Sequence, residues 1–186
     1  MNLLKSTRFL RYSSLLTILS LSTGVLAGDW SFHADNGEAC ALIATVNDKL
    51  SGKKIASLAM IKLGNDALNN ISGFEREIII SDAGFILETK PRRLKVEKGA
   101  GVQVSSQTFN AYMSYIPNSR EGSDDFVYTL SNTESLDMRT AIFNEEELTL
   151  EFNTISSNVQ YGIITADNFS KSYKKFKQCT KTLDQV

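Results

Sequence analysis

Alternation of apolar and polar residues, the pattern of a half-buried β-strand, recurs along most of the chain. Leucine and phenylalanine alternate with threonine and glutamate across residues 148–152. The same period of two appears in three other segments, 93–97, 109–115 and 126–130. Because successive side chains of a strand point to opposite faces, each segment can bury one face and expose the other. Shorter apolar runs favour further, more buried strands at 40–46, 75–81 and 84–90.

Two segments leave their structure open, and two others predict turns. Residues 52–70 carry apolar side chains on both faces, which suits a central strand or a helix. Residues 133–141 suit a short helix or a connection between strands. Glycine with aspartate, asparagine or serine marks turns at 35–37 and 120–125.

The carboxyl end departs from the strand pattern. Its apolar positions recur every three or four residues, at Phe169, Tyr173, Phe176, Cys179 or Thr180, and Leu183. This spacing places them along one stripe of an α-helix. Lysines occupy other positions toward its end, at Lys174, Lys175, Lys177 and Lys181. We therefore predict a C-terminal helix that packs its aromatic residues on the sheet and keeps its lysines in water.

The first 27 residues have the features of a signal peptide. A basic start is followed by an apolar core of roughly ten residues, too short to span a bilayer, which needs about 20. Small residues at Val25 and Ala27 place cleavage after Ala27. We expect the remaining residues, 28–186, to form a single β-rich domain without a membrane span, periplasmic or secreted. Without the three basic residues of the leader, 17 Lys and Arg face 21 Asp and Glu, so nucleic acid is not an expected partner.

The chain contains two cysteines, Cys40 and Cys179, and both follow the expected cleavage site. In an oxidising compartment an even pair most simply forms one disulfide, and two free thiols are the alternative. A bond between them would join the C-terminal helix to an early strand. The sequence thus predicts a mainly β (α+β) domain, sandwich-like or barrel-like, with a C-terminal helix stapled by a disulfide.

Candidate catalytic chemistry is sparse. His33 is the single histidine, and no G-x-S-x-G segment presents a serine to it. Zinc, redox and phosphate-binding motifs are absent from the sequence, so we expect no cofactor and no enzymatic activity. Acidic residues cluster at 121–125 and 145–147, where we interpret them as solvated loop charges rather than catalytic carboxylates.

The two ends resemble the N-terminal domain of MotY, the accessory protein of sodium-driven bacterial flagellar motors. The terminal pattern consists of Phe169, Tyr173, Phe176, Cys179 and Leu183, and Trp30 precedes Cys40 by ten positions. The resemblance implies that the cysteines pair, that the helix packs on a β-rich domain, and that Trp30 belongs to its core. That family continues into a peptidoglycan-binding domain resembling the C-terminal part of OmpA. Because this sequence ends at Val186, we expect no such domain in this chain.

We therefore expect a non-catalytic periplasmic assembly or adaptor domain, associated with the flagellar motor or another envelope complex, whose partners are proteins of the cell envelope. Two alternatives remain. One is a secreted interaction protein resembling the invasion-associated locus B group. The other, weaker alternative is an exported hydrolase.

Overall fold

The structure is a computed structural model that describes residues 30–35, 38–64, 84–89, 94, 96, 99–116 and 126–183. These residues contain nine strands and two helices. In chain order the elements are β1 Trp30–Asp35, β2 Ala39–Asp48, β3 Lys54–Leu63, β4 Phe85–Thr89, β5 Val102–Ser105, β6 Asn110–Ile116, β7 Phe126–Thr129, α1 Asn132–Phe143, β8 Leu148–Asn153, β9 Val159–Ile164 and α2 Phe169–Leu183.

Eight antiparallel strands form a closed barrel in the order β2-β3-β4-β7-β6-β5-β8-β9. The barrel closes where Asn47 and Asp48 of β2 pair with Ile163 and Gly162 of β9. The ninth strand, β1, pairs with residues 39–44 on the same edge of β2. One edge of β2 is therefore shared, with β1 along its first part and β9 at its end. This architecture confirms the predicted β-rich fold with a C-terminal helix.

Inward-facing side chains of the barrel and the apolar side of α2 form one core. Along β2 the inward positions are Cys40, Leu42, Ala44 and Val46, all without solvent exposure. Helix α2 contacts β1 and β2 and adds Phe169, Phe176 and Leu183 to the same cluster. The helix thus packs against the flank of the barrel where β1 extends the edge of β2.

Helix α1 resolves the ambiguity at 133–141. It begins with a capping box, in which the Ser131 hydroxyl accepts from the Glu134 N–H and the Glu134 carboxylate accepts from the Ser131 N–H. Its buried side includes Ser135, whose hydroxyl accepts a 3.4 Å hydrogen bond from the Phe85 N–H at the start of β4. The second ambiguous segment contains strand β3, which ends at Leu63.

Of the strand predicted at 93–97, the structure describes only Leu94 and Val96. Both are buried, and Val96 makes an isolated bridge to Thr154. The other three residues of the segment lie outside the described part of the chain, so the strand stays a prediction. The expected leader at 1–27, the strand at 75–81 and the turn at 120–125 lie outside the described residues, as does most of the turn at 35–37. Among the residues that are described, no helix is long and apolar enough to cross a membrane.

Candidate functional site

A disulfide fixes the C-terminal helix to the barrel. It joins Cys40 on β2 to Cys179 on α2, with 6.0 Å between the two Cα atoms and 139 positions between the residues. Cys40 is fully buried and Cys179 is partly buried. The predicted pairing is therefore present, and it prevents α2 from leaving β2 while the bond is intact.

Trp30 holds the start of α2 against β1. Its side chain is buried, and its indole N–H donates a 3.1 Å hydrogen bond to the Thr165 carbonyl oxygen. Its main-chain N–H donates to the Asp167 carbonyl oxygen at 3.0 Å, and its carbonyl oxygen accepts from the Ser172 hydroxyl at 2.9 Å. The indole also meets Phe169 edge to face, with ring centroids 4.9 Å apart. Trp30 is thus a core residue that also organises the loop before α2.

The buried stripe of α2 differs from the predicted one in that Ser172 takes the place of Tyr173. It consists of Phe169, Ser172, Phe176, Thr180 and Leu183. Tyr173, which the pattern places in the stripe, is only partly buried at its edge. The helix is turned so that Ser172 faces the Trp30 carbonyl, and this rotation moves Tyr173 toward α1.

Tyr173 instead joins a cluster between the two helices. Its hydroxyl accepts a 3.0 Å hydrogen bond from the Arg139 guanidinium, which also lies 5.6 Å from the centre of the Tyr173 ring. Phe143 meets Tyr173 edge to face at 5.1 Å and Phe169 at 4.9 Å. Phe143 remains 42% exposed. The junction of α1 and α2 therefore presents an aromatic ring and a cation at the surface.

The outward side of α2 carries five exposed lysines, Lys171, Lys174, Lys175, Lys177 and Lys181. We call this side the lysine face. Ideal helix geometry places the five Cα atoms on an arc of about 160° opposite the buried stripe, over a length of about 15 Å. None of the five forms an ion pair with any residue in the described ranges. Because the opposite side is buried and disulfide-bonded, the helix backbone that carries these lysines is held at a fixed position on the barrel.

A shallow cleft of about 580 Å³ lies beside the lysine face, between the end of α1 and the start of α2. Its charged lining comprises Glu145, Glu147, Asp167 and Lys171. The three carboxylates are exposed to solvent. The cleft therefore adds an acidic border to the lysine face.

His33 lies on β1 and is partly buried, and this burial lowers its pKa. Its Nε2 and the Ser31 hydroxyl share a 2.9 Å hydrogen bond. The two residues are neighbours on one face of the strand, because they are two positions apart. A nucleophilic serine also needs a third group that orients the histidine. No carboxylate contacts His33 within the described part of the chain.

The buried acidic residues Glu146 and Asp48 serve as structural acceptors. Glu146 accepts from the Ser106 hydroxyl and from the hydroxyl and N–H of Thr108, and these bonds, that of Ser106 foremost, lower its pKa. The interpretation of 145–147 as solvated charges is therefore wrong for Glu146, which stabilises the turn between β5 and β6.

Among the described residues, no group of three or more acidic, histidine or cysteine side chains is placed to hold a metal ion.

The Asp48 carboxylate links the turn after β2 to strand β9, where the barrel closes. Its carboxylate accepts from the N–H and hydroxyl of Ser51 at 2.7 and 2.6 Å, and from the Gln160 amide at 3.1 Å. These bonds lower the pKa of Asp48, with the Ser51 hydroxyl as the largest cause. Asp48 carries no signal in the sequence, since a single carboxylate in a turn gives no pattern, and Glu146 does not stand out within a run of three glutamates.

Comparison with protein-family models, with curated proteins and with solved structures finds no match to this chain.

Proposed function

We propose that this chain is a non-catalytic, exported assembly or adaptor domain that binds a protein of the cell envelope through the lysine face. The observation that carries the proposal is a set of five lysines on one anchored helix, none of which forms an ion pair with a described residue. Flexible surface lysines are usually solvated individually. Here the helix that bears them is anchored by a buried apolar stripe and a covalent bond.

The surroundings of the lysine face favour a protein over an anionic membrane. Exposed carboxylates of Asp137, Glu145, Glu147 and Asp167 lie on α1, after α1 and before α2. A uniformly anionic surface would be repelled by these groups, whereas a protein can match basic and acidic patches separately. Phe143 and Arg139 add an aromatic ring and a guanidinium, both enriched at protein interfaces.

The setting of this activity is the envelope, in a flagellar motor or another complex. The signal-like leader and the disulfide support an oxidising compartment. The resemblance of Trp30, Cys40 and the α2 residues to the MotY N-terminal domain supports the motor. A secreted interaction protein would use the same surface outside the cell, and fractionation of periplasm and culture medium distinguishes the two.

The test is recovery of partners from envelope extracts with purified mature protein. The informative variant is Lys174→Glu, Lys177→Glu and Lys181→Glu combined. Its matched control is Lys49→Glu and Lys53→Glu combined, which reverses the charge of two exposed lysines in the turn between β2 and β3. We expect wild type and control to recover the same partner and the triple variant to lose it. Equal recovery by all three proteins would refute a role for the lysine face.

Identification of the recovered protein decides the setting. Components of the flagellar basal body would favour the motor, and other envelope proteins would favour a different complex. Binding to vesicles of phosphatidylcholine and phosphatidylglycerol, with no protein recovered, would replace the adaptor function by membrane attachment.

A further inference from the structure

Among the described residues, nothing forms a main-chain hydrogen bond with the outer edge of strand β1 beyond Trp30. In an antiparallel pair, the N–H and carbonyl of one residue point toward the partner strand, and those of the next residue point away from it. The N–H and carbonyl of Trp30 point away from β2, because they bond to Asp167 and Ser172. By the same alternation, those of Phe32 and Ala34 also point away. These groups have no hydrogen-bond partner in the part of the chain that the structure describes.

The open edge lacks the features that usually prevent strand addition. Natural edge strands are commonly protected by lysine, proline or a β-bulge. The sequence of β1, Trp-Ser-Phe-His-Ala-Asp, contains no lysine and no proline. Its pairing with β2 runs without a register shift from Trp30 to Asp35. Ala34 is exposed, so an approaching backbone would reach this part of the strand.

Lysines of α2 lie alongside this edge. Ser172 is bonded to the Trp30 carbonyl, and Cys179 is bonded to Cys40, the cross-strand neighbour of Ala34. Lys175 is three residues after Ser172 and four before Cys179, so it lies at the border of the lysine face that is nearest to these two residues. It therefore lies next to the stretch of β1 between Trp30 and Ala34, with Lys171 one turn earlier.

We propose that the open edge of β1 binds an extended acidic segment of a second protein as an added strand. This inference rests on the proposed function and names the partner chemistry. Main-chain groups of Phe32 and Ala34 would bond to the backbone of the segment, and Lys171 and Lys175 would pair with its carboxylates. Strand addition to a sheet edge draws affinity from main-chain hydrogen bonds and specificity from side-chain contacts.

Charge argues against a second copy of this chain as the occupant. Antiparallel pairing of two β1 strands places both α2 helices on the same side of the joined sheet. The lysines of the two helices would then face each other, and like charges across an interface are unfavourable. An acidic segment from another protein meets the same lysines with attraction.

The experiment selects ligands for the disulfide-bonded protein from a random dodecapeptide phage library. We expect enrichment of peptides with several Asp or Glu at alternate positions and without proline. Binding should weaken about tenfold in Ala34→Pro, which removes an edge N–H but no bond to β2. It should also weaken about tenfold in Lys171→Glu/Lys175→Glu, and wild-type binding should fall with added salt. Lys49→Glu, about 30 Å from Cys40 along β2, should bind like wild type.

A measurement on the wild-type protein avoids any dependence on the folding of the proline variant. The selected peptide should slow hydrogen exchange at the amides of Phe32 and Ala34. It should leave Ser31 and His33 unchanged, since their amides already face β2. Absence of enrichment, enrichment of non-acidic peptides, or a protein dimer through β1 would overturn strand addition.

The two proposals can fail separately. If Lys174→Glu/Lys177→Glu/Lys181→Glu loses its envelope partner while Ala34→Pro retains it, the adaptor function stands and strand addition is overturned. If Ala34→Pro alone loses the partner, the partner binds at β1 and the wider lysine face is not required.

Discussion

The Ser172 hydroxyl donates a 2.9 Å hydrogen bond to the main-chain carbonyl oxygen of Trp30, 142 positions earlier in the chain. Both residues are buried. Together with the hydrogen bond from the Trp30 N–H to the Asp167 carbonyl, this contact gives both outward-pointing main-chain groups of Trp30 a partner. Within the described residues, the main-chain hydrogen bonds from the outer edge of β1 to α2 and the loop before it are therefore confined to Trp30.

Replacement of Ser172 by alanine should lower the free energy of unfolding by about 1 kcal/mol, because a buried carbonyl loses its partner. Ser170→Ala provides a matched control on the same helix, since Ser170 is exposed. Its effect should stay below about 0.5 kcal/mol. Urea unfolding of the three proteins measures the difference, and equal losses for both variants would mean that the Ser172 bond contributes no stability.

Reduction of the disulfide should be the most damaging single chemical change. The bond closes a loop across 139 positions, so its loss should cost about 5 kcal/mol in the chain-entropy model. Urea unfolding with and without dithiothreitol measures this cost. A Cys40→Ala/Cys179→Ala protein should be less stable and insensitive to reductant. Detection of two alkylatable thiols in the native, unreduced protein would contradict the structure.

Phe176→Ala and Tyr173→Ala should differ in their effect on stability. Phe176 is fully packed, so its truncation should cost about 3–5 kcal/mol. Tyr173 lies at the edge of the buried stripe, so Tyr173→Ala should cost clearly less. Tyr173→Phe should lose only the hydrogen bond from Arg139, about 0.5–1.5 kcal/mol. A loss for Tyr173→Ala equal to that for Phe176→Ala would place both side chains in the core.

Local patterns in the sequence predicted the elements better than their arrangement. Alternation from Leu148 to Phe152 predicted β8, and the spacing of Phe169, Phe176 and Leu183 predicted α2, because each pattern arises within one element. The pairing of the two cysteines followed from their even number and from the expectation of an oxidising compartment.

Features that depend on distant contacts were not predictable. Ser172 belongs to the buried stripe of α2 because its hydroxyl bonds to the Trp30 carbonyl. A pattern of apolar residues does not include a serine, so it could not predict this position. Barrel closure depends on the pairing of Asn47 with Ile163, and the open edge of β1 depends on what bonds to Trp30. The lysines of α2 were visible in the sequence. Their relation to that edge required the fold.

Acidification should weaken the closure of the barrel at Asp48. Hydrogen bonds from Ser51 and Gln160 keep its pKa in the folded protein below the usual value of about 3.9. A lowered folded pKa means that the carboxylate adds stability above the unfolded value, and that this stability is lost as pH falls through the folded pKa. The stability difference between wild type and Asp48→Asn should therefore be constant above about pH 5 and shrink below pH 4.

Urea unfolding from pH 3 to pH 7 measures that difference. Asp137→Asn, at an exposed position on α1, serves as the control and should follow the wild-type profile. If the difference in unfolding free energy between wild type and Asp48→Asn does not depend on pH, the hydrogen bonds to Asp48 do not stabilise its charged form more than its neutral form.

Gly162→Ala should destabilise the barrel, because β9 approaches its neighbours too closely for a side chain there. A Cβ atom at Gly162 would lie 2.5 Å from Val46 Cγ1 and 3.1 Å from a ring carbon of Phe152. Such overpacking typically costs about 1–3 kcal/mol. Val46→Ala removes the closest atom, so the double variant should lose less stability than the sum of the single losses. A coupling of at least about 0.5 kcal/mol in this cycle is expected, and additive losses would show that Val46 does not limit the space.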